Sequence, residues 1–266
     1  MLLSFDRMGL LRWILVLITV PVMLFLILPV AFIVALSFGS SQWLAFPPPG
    51  WTLRWYHEFF TDPRWMAAIW TSAKIGVLVM ISSTSFALLT SFALVRGRFR
   101  GREALRAAFL TPMILPVVVV AVALYAFFLK IGLNGTLLGF VVAHTVLALP
   151  FAIIPISAAL AGFDKSVEDA AILCGASPWE ARLRITLPSI RHGLFAGMVF
   201  SFLVSWDEVV VSIFMASPTL QTMPVRIWGS LRQDLSPVIA AASSLLILLT
   251  LLLLLLAALL RKKSDR

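Results

Sequence analysis

DKSVEDAAILCGASPWEARLRITLPSIR, running from Asp164 to Arg191, is the one long polar interruption in the C-terminal half of the chain. Ser166 is a candidate N-cap with Asp169 three residues on, the spacing of a capping box. Gly175 stands where a short helix would end on a left-handed C′ residue. Ser177 offers a second N-cap, with Pro178 at the first helical position and Glu180 at the third. Pro188 lacks an N–H and should end the second helix or bend it into the next apolar run. Helix, glycine turn, helix and proline stop thus fall within one loop between two hydrophobic runs. A simple connection does not need that much local order, so the loop reads as a surface held by a partner.

The surroundings of this loop set the class. Hydrophobic residues make up 61% of the 266, charged residues 12%, and the mean hydropathy is +1.02. A soluble domain is nearer half apolar and about a quarter charged, so the chain reads as an all-α, polytopic membrane protein. The net charge of +9 does not indicate nucleic acid, because the basic residues sit beside apolar runs and form no reading motif. Cys174 is the single cysteine, which excludes an internal disulfide and leaves no cysteine-based metal site. His57, His144 and His192 are far apart and lack the HExxH spacing, so no metal ligand is expected.

A membrane span needs about 20 apolar residues. Six runs meet that length: 13–38, 66–95, 107–129, 137–156, 193–216 and 238–260. The first follows Arg7 and Arg12 and is too long for a signal-peptide core, so it reads as an uncleaved span. With six spans both termini share one side. The N-terminus, the 96–106 loop, the 157–192 loop and the C-terminus carry 15 of the 21 Lys and Arg. The others are Arg54, Arg64, Lys74, Lys130, Arg226 and Arg232. The positive-inside rule places the first set in the cytoplasm, with Arg96 to Arg102 (RGRFRGR) and Arg261 to Lys263 as topology anchors touching anionic lipid. The expected organisation is a first span and outer segment over 1–65, a core of five spans over 66–260 that includes the 157–192 loop, and a basic cytosolic tail over 261–266.

The outer segment contains Pro47-Pro48-Pro49-Gly50, a stiff polyproline turn, and then WTLRWYHEFF, suited to an interfacial helix. Trp43, Trp51, Trp55, Trp65 and Trp70 fall there or just inside the next span, as an aromatic belt does. Prolines inside spans, at 21, 29, 112, 116, 150 and 155, favour a bundle around a pathway over a simple anchor. The leucine run from Leu251 to Leu256 is expected to face lipid.

Chemistry has few places to reside. Asp207 and Glu208 lie in the fifth span, where an acid at mid-membrane costs about 2.5–3.5 kcal/mol. Neighbours on a helix point about 100° apart, so one can line a pathway while the other pairs with a neighbouring helix or subunit. Two readings stand: acids satisfied by polar contacts, or a counter-charge for a cationic solute. Trp206 and Tyr125 add candidate cation–π faces, or are packing. His144 reads as a hydrogen-bonded bundle histidine rather than a proton relay. A motor within the chain is excluded, because the nearest P-loop string, Gly162 to Ser166, lacks the glycine before Lys165. No GxSxG elbow is present.

On these residues the chain resembles the inner-membrane permeases of bacterial ABC importers, and within them the spermidine/putrescine branch, the PotC-like permeases. The family's loop motif is EAA, three residues, Gly, nine residues, then I-x-L-P. Here it is Asp169-Ala170-Ala171, three residues, Gly175, nine residues, then Ile185-Thr186-Leu187-Pro188. Asp169 replaces the usual glutamate, with Glu168 just before it, and the shorter carboxylate is expected still to cap the helix. Phe46-Pro47 through Gly50, Trp55-Tyr56, Leu133 to Thr136, His144 to Phe151, Asp207 to Val210 and Leu220 to Pro224 are also similar to this branch. At the start of the second span Thr71-Ser72 stands where Asn-Ser is common.

The resemblance implies the type I importer permease fold, with the loop as a coupling helix docking into a cytosolic ATPase. Glu168, Asp169, Ala170, Ala171, Gly175, Ile185, Leu187 and Pro188 would carry that contact. It further implies two ATPase subunits that hold ATP and Mg2+, a second similar permease, a periplasmic solute-binding protein meeting loops 39–65 and 217–236, and no cofactor or catalytic residue in this chain. The expected solute is a polyamine, with a permease for another small solute of the same branch as the alternative; a self-sufficient secondary transporter or channel, and an intramembrane enzyme, are the competing classes.

Overall fold

Pro116 and Glu208, two points where the backbone leaves helical geometry, decide how the apolar runs are cut. The structure, a computed structural model, describes residues 9–233 and 236–262. Arg7, Lys263 and the rest of the basic tail lie outside the described residues, as do Asp234 and Leu235 of the 217–236 loop. All regular elements are helices, and the extended pairing among the described residues consists of isolated bridges, Gly39 to Trp51 and Ser217 to Leu220. The chain divides into two units, Met1–Asp62 with Ser230–Ile247, and Pro63–Gly229 with Leu248–Arg266.

In the first unit, α1 (Gly9–Ser37) runs unbroken through Pro21 and Pro29. Its apolar side chains from Trp13 to Leu28 are largely exposed, a face that water would not tolerate and lipid does. The interfacial helix expected from the aromatic stretch is α2 (Arg54–Thr61). The intervening loop folds back on itself: the Trp55 Nε1 donates to the Gly39 carbonyl at 2.6 Å, and the Ser37 hydroxyl meets the Tyr56 hydroxyl at 2.7 Å.

The second unit contains α3 (Pro63–Arg96), α4 (Arg102–Ile114), α5 (Val117–Ile131), α6 (Leu137–Gly162), α7 (Lys165–Leu173), α8 (Pro178–Ala181), a π-helical turn (Arg182–Thr186), α9 (Leu187–Ser189), α10 (Arg191–Asp207) and α11 (Val210–Met215). Two more helices run across the division between units, α12 (Met223–Gln233) and α13 (Val238–Lys262). Leu251, Leu252, Leu254 and Leu255 of α13 are exposed, as a lipid-facing run should be; the Leu256 side chain lies outside the described residues.

The heart of this unit is α3, α6 and α10 packed together. Lipid is as apolar as leucine, so close backbone approach and hydrogen bonds, not water exclusion, hold such helices. Glycine supplies the approach. A Cβ on Gly193 would collide with the Ala159 Cβ and sit 2.8 Å from the Pro155 carbonyl oxygen. Hydroxyl pairs supply the bonds: Ser82 with Thr145 at 2.7 Å, Ser157 to Ser91 at 2.9 Å and Ser201 to Ser83 at 3.2 Å. Each such bond contributes about 0.6 kcal/mol in a membrane bundle. The Arg96 guanidinium closes the end of the assembly, donating to the carbonyls of Leu160 and Phe163 at 3.3 and 2.8 Å.

A Gly193→Val change should therefore pry α10 from α6, at the ~1–3 kcal/mol typical of overpacking. Thermal unfolding in detergent reads this as a lowered transition. Gly162→Ala, where nothing lies within 4 Å, is the matched control and should stay within ~0.5 kcal/mol.

Two expected spans are not single helices. The third, 107–129, is split at Leu115, whose extended backbone (ψ 144°) is what a following proline enforces. The halves α4 and α5 meet at 104°. The fifth, 193–216, stops at Asp207; Glu208 is extended (φ −72°, ψ 115°) before α11 begins. Among the described residues four unbroken helices are long and apolar enough to cross a membrane, and the count reaches six if two bent pairs, α4 with α5 and Pro178–Ser189 with α10, are each taken as one span. The fourth span continues to Gly162, so the polar segment runs over 163–190 rather than 157–192.

Candidate functional site

The 163–190 segment is more tightly built than a linker. The N-cap of α7 is Asp164, not Ser166: its Oδ1 accepts the Ser166 N–H at 2.9 Å. A carboxylate cap also favours the helix dipole, which a hydroxyl does not. The Ser166 N–H, and then its hydroxyl, hold the Asp164 carboxyl below the usual carboxylate range. Asp169 therefore plays no capping part. It is exposed and pairs with Lys165 at 3.6 Å, a surface contact worth little.

Gly175 has φ +98°, and the Gly175 and Ala176 N–H groups donate to the carbonyls of Ile172 and Ala171. That is the paired-bond Schellman stop. Ser177 and Glu180 form the expected capping box: the Glu180 N–H donates to the Ser177 hydroxyl oxygen at 3.2 Å, and Glu180 Oε2 accepts the Ser177 N–H at 3.0 Å. The Ser177 N–H foremost, and then its hydroxyl, which donates to the same Oε2 at 2.9 Å, hold the Glu180 carboxyl below the usual carboxylate range. The chain bends 72° between Pro178–Ser189 and Arg191–Asp207, just after Pro188. The π turn before Pro188 places the Leu187 N–H on the Arg182 carbonyl.

Glu168 turns inward. It is 6% exposed, its Oε2 accepts the Thr186 hydroxyl at 2.9 Å, and its Oε1 lies 3.6 Å from the Arg182 Nε. The acid thus ties α7 to the π turn. Ala170, Gly175 and Pro188 are exposed, while Ala171, Ile185 and Leu187 are half-buried. Beside them stand apolar side chains that the chain itself leaves uncovered: Val167, Ile172, Leu183, Trp179 at 63% exposure and Leu173 at 89%.

The acidic pair lies at the interruption between α10 and α11. Glu208 Oε1 accepts the Val211 N–H at 2.7 Å, so this acid caps the short helix beyond the break. Asp207 is exposed at the end of α10. Trp206 is buried and stacks on Phe202, with centroids 5.5 Å apart and planes 18° apart. Tyr125 instead packs on Phe214 of α11, centroids 5.8 Å apart. His144 is fully buried on α6, its Nδ1 2.9 Å from the Ser205 hydroxyl and its Nε2 3.0 Å from that of Ser212.

Thr186, Arg182, Ser205 and Ser212 escape a reading of the sequence. Thr186 occupies the free position of I-x-L-P, and nothing local marks it as the partner of an acid eighteen residues earlier. The serines flank the acidic pair, which is their one sequence signal.

A helical bundle with two interrupted spans and an ordered polar loop defines a polytopic membrane transport protein rather than an anchor. Residues 83–266 match the family described as binding-protein-dependent transport system inner membrane component. The chain belongs to that family, and is a multi-pass inner-membrane permease subunit of an ABC importer. It is 29% identical over 222 residues to the putrescine transport system permease protein PotI of Escherichia coli (strain K12), covering 81% of this chain and 79% of that one. It is 30% identical over 215 residues to the spermidine/putrescine transport system permease protein PotC of Haemophilus influenzae, covering 81% of this chain and 83% of the relative. The fold matches a chain of a bacterial ABC transporter involved in the import of the acidic polysaccharide alginate, with TM-score 0.74, 17% identity and 98% of each chain covered.

Proposed function

We propose that the chain forms half of the membrane pathway of an importer for polyamines, and that its 163–190 segment docks into a cytosolic ATPase. The observation that carries the docking reading is the exposed apolar set around Leu173 and Trp179, on a loop whose own bonds are already satisfied. A rigid, capped element with uncovered apolar side chains is what a partner groove takes up. The polyamine reading rests on the names of the relatives and on an exposed acid at the broken span, unpaired among the described residues and suited to an ammonium.

The assembly contains a second similar permease, two ATPase subunits that hold ATP and Mg2+, and a periplasmic solute-binding protein that meets the 39–65 and 217–236 loops. This chain carries no cofactor and catalyses no reaction. Both termini and the 96–106 loop lie in the cytoplasm with the docking segment. Closure of the ATPase pair on ATP moves the docked segment as a lever, and α10, joined directly to its end, carries the motion to the interruption at Glu208.

Leu173→Glu is the direct test. Its side chain touches almost nothing within the chain, so folding should persist while ATPase co-purification falls at least tenfold. Unchanged co-purification would overturn the docking reading.

A further inference from the structure

We infer that His144 is the positioning residue of the pathway site, holding the interrupted fifth span in the pose that presents Asp207. The inference rests on the reading of Asp207 as a pathway group.

One imidazole on α6 takes hydroxyls from both sides of the break. Ser205 belongs to α10, two residues before Asp207, and Ser212 belongs to α11. Ser212 comes directly after Val211, whose N–H is held by Glu208. Along an unbroken helix these serines would stand about 10.5 Å apart in rise. The ring instead bridges them with bonds of 2.9 and 3.0 Å across the interruption.

A serine hydroxyl both donates and accepts, so a neutral ring satisfies both partners in either tautomer. Phe140, one turn earlier on α6, packs its ring edge-to-face on the imidazole with centroids 5.7 Å apart, which fixes the plane of the bridge. Between the two clasped serines the chain is left with Trp206 pinned on Phe202, Glu208 spent on a cap, and Asp207 exposed. The backbone at Asp207 is thus held from α6, a helix that the hydroxyl pairs already lock to α3. Without the clasp, α11 keeps its apolar packing on α5 but loses the polar tie that sets its register on α6 across the break.

The experiment uses the assembled transporter with Cys174→Ser as background. Asp207→Cys is labelled with a membrane-impermeant thiol reagent, and Lys130→Cys, at the exposed end of α5, serves as the control. Introducing His144→Ala should change the labelling rate at position 207 at least fivefold and leave that at 130 within twofold. Ser212→Ala, which deletes only the α11 bond, should reproduce much of the change and add little on top of His144→Ala. In transporter that retains Asp207, His144→Ala should lower the maximal rate of labelled putrescine or spermidine uptake at least tenfold, with ATPase co-purification intact. His144→Gln, which keeps a donor and an acceptor, should recover part of it.

Labelling at 207 that is unchanged in both His144→Ala and Ser212→Ala overturns the positioning role, whatever the uptake. A labelling shift confined to 207, in a transporter whose unaltered form moves neither polyamine, upholds the role and removes the polyamine reading instead.

Discussion

Gly175→Leu is expected to abolish ATP-driven uptake and to strip the ATPase from the complex, whereas Gly175→Ala should only weaken both. Two costs are separable here. Gly175 has φ +98°, so any Cβ there forces an unfavourable left-handed conformation. That strain is about 1–2 kcal/mol and depends little on what lies beyond Cβ. Among the described residues nothing lies within 4 Å of the position a Cβ would occupy. Alanine and leucine therefore carry similar internal costs, and a large difference between them has to come from a partner pressed against the turn. Gly175→Asn, which tolerates positive φ better than alanine, should be the mildest of the three unless its size already meets that partner. Co-purification of the ATPase and uptake in proteoliposomes measure the series. If leucine behaves like alanine, the turn is only a turn and the partner binds elsewhere.

The loop shows how much of this molecule its sequence discloses. Gly175, Ser177, Glu180 and Pro188 act locally, through bonds to residues within five positions, and each is legible from spacing alone. Asp164 displaces Ser166 as the cap because two polar residues compete for the same free N–H groups, and backbone conformation decides between them. Glu168 illustrates the other limit. Its burial depends on Thr186 and Arg182, brought round by the glycine turn and the π turn, and that geometry has no local signature. The spans divide in the same way. Length and hydropathy find six apolar runs, but Leu115-Pro116 and Glu208-Val209 interrupt two of them, and hydropathy averages over such breaks. A proline at a break is legible; a break opposite a histidine on another helix is not, since His144, Ser205 and Ser212 lie far apart in sequence. Those long-range contacts are what turn a run of apolar residues into a site.

Asp207→Asn should then give the sharpest separation of structure from transport. Asp207 is exposed and its carboxylate has no hydrogen bond or ion pair among the described residues, so its loss leaves the fold untouched. A charge-assisted hydrogen bond to a substrate ammonium contributes about 1.5–3 kcal/mol, and every 1.4 kcal/mol is about tenfold. Uptake of putrescine or spermidine should therefore fall by tenfold or more in Asp207→Asn with assembly and ATPase association retained. Glu208 behaves differently because its Oε1 is committed to the Val211 N–H. Glu208→Gln keeps an acceptor for that cap and should lower uptake only severalfold through the lost charge. Glu208→Ala removes the cap as well, at about 1 kcal/mol, and should show a lowered thermal transition that neither amide variant shows. The reverse order, with Glu208→Gln inactive and Asp207→Asn normal, would exchange the two roles. Normal uptake in both amide variants would mean that the solute crosses the membrane without a counter-charge from this helix, and the acids would then be there to shape the break alone.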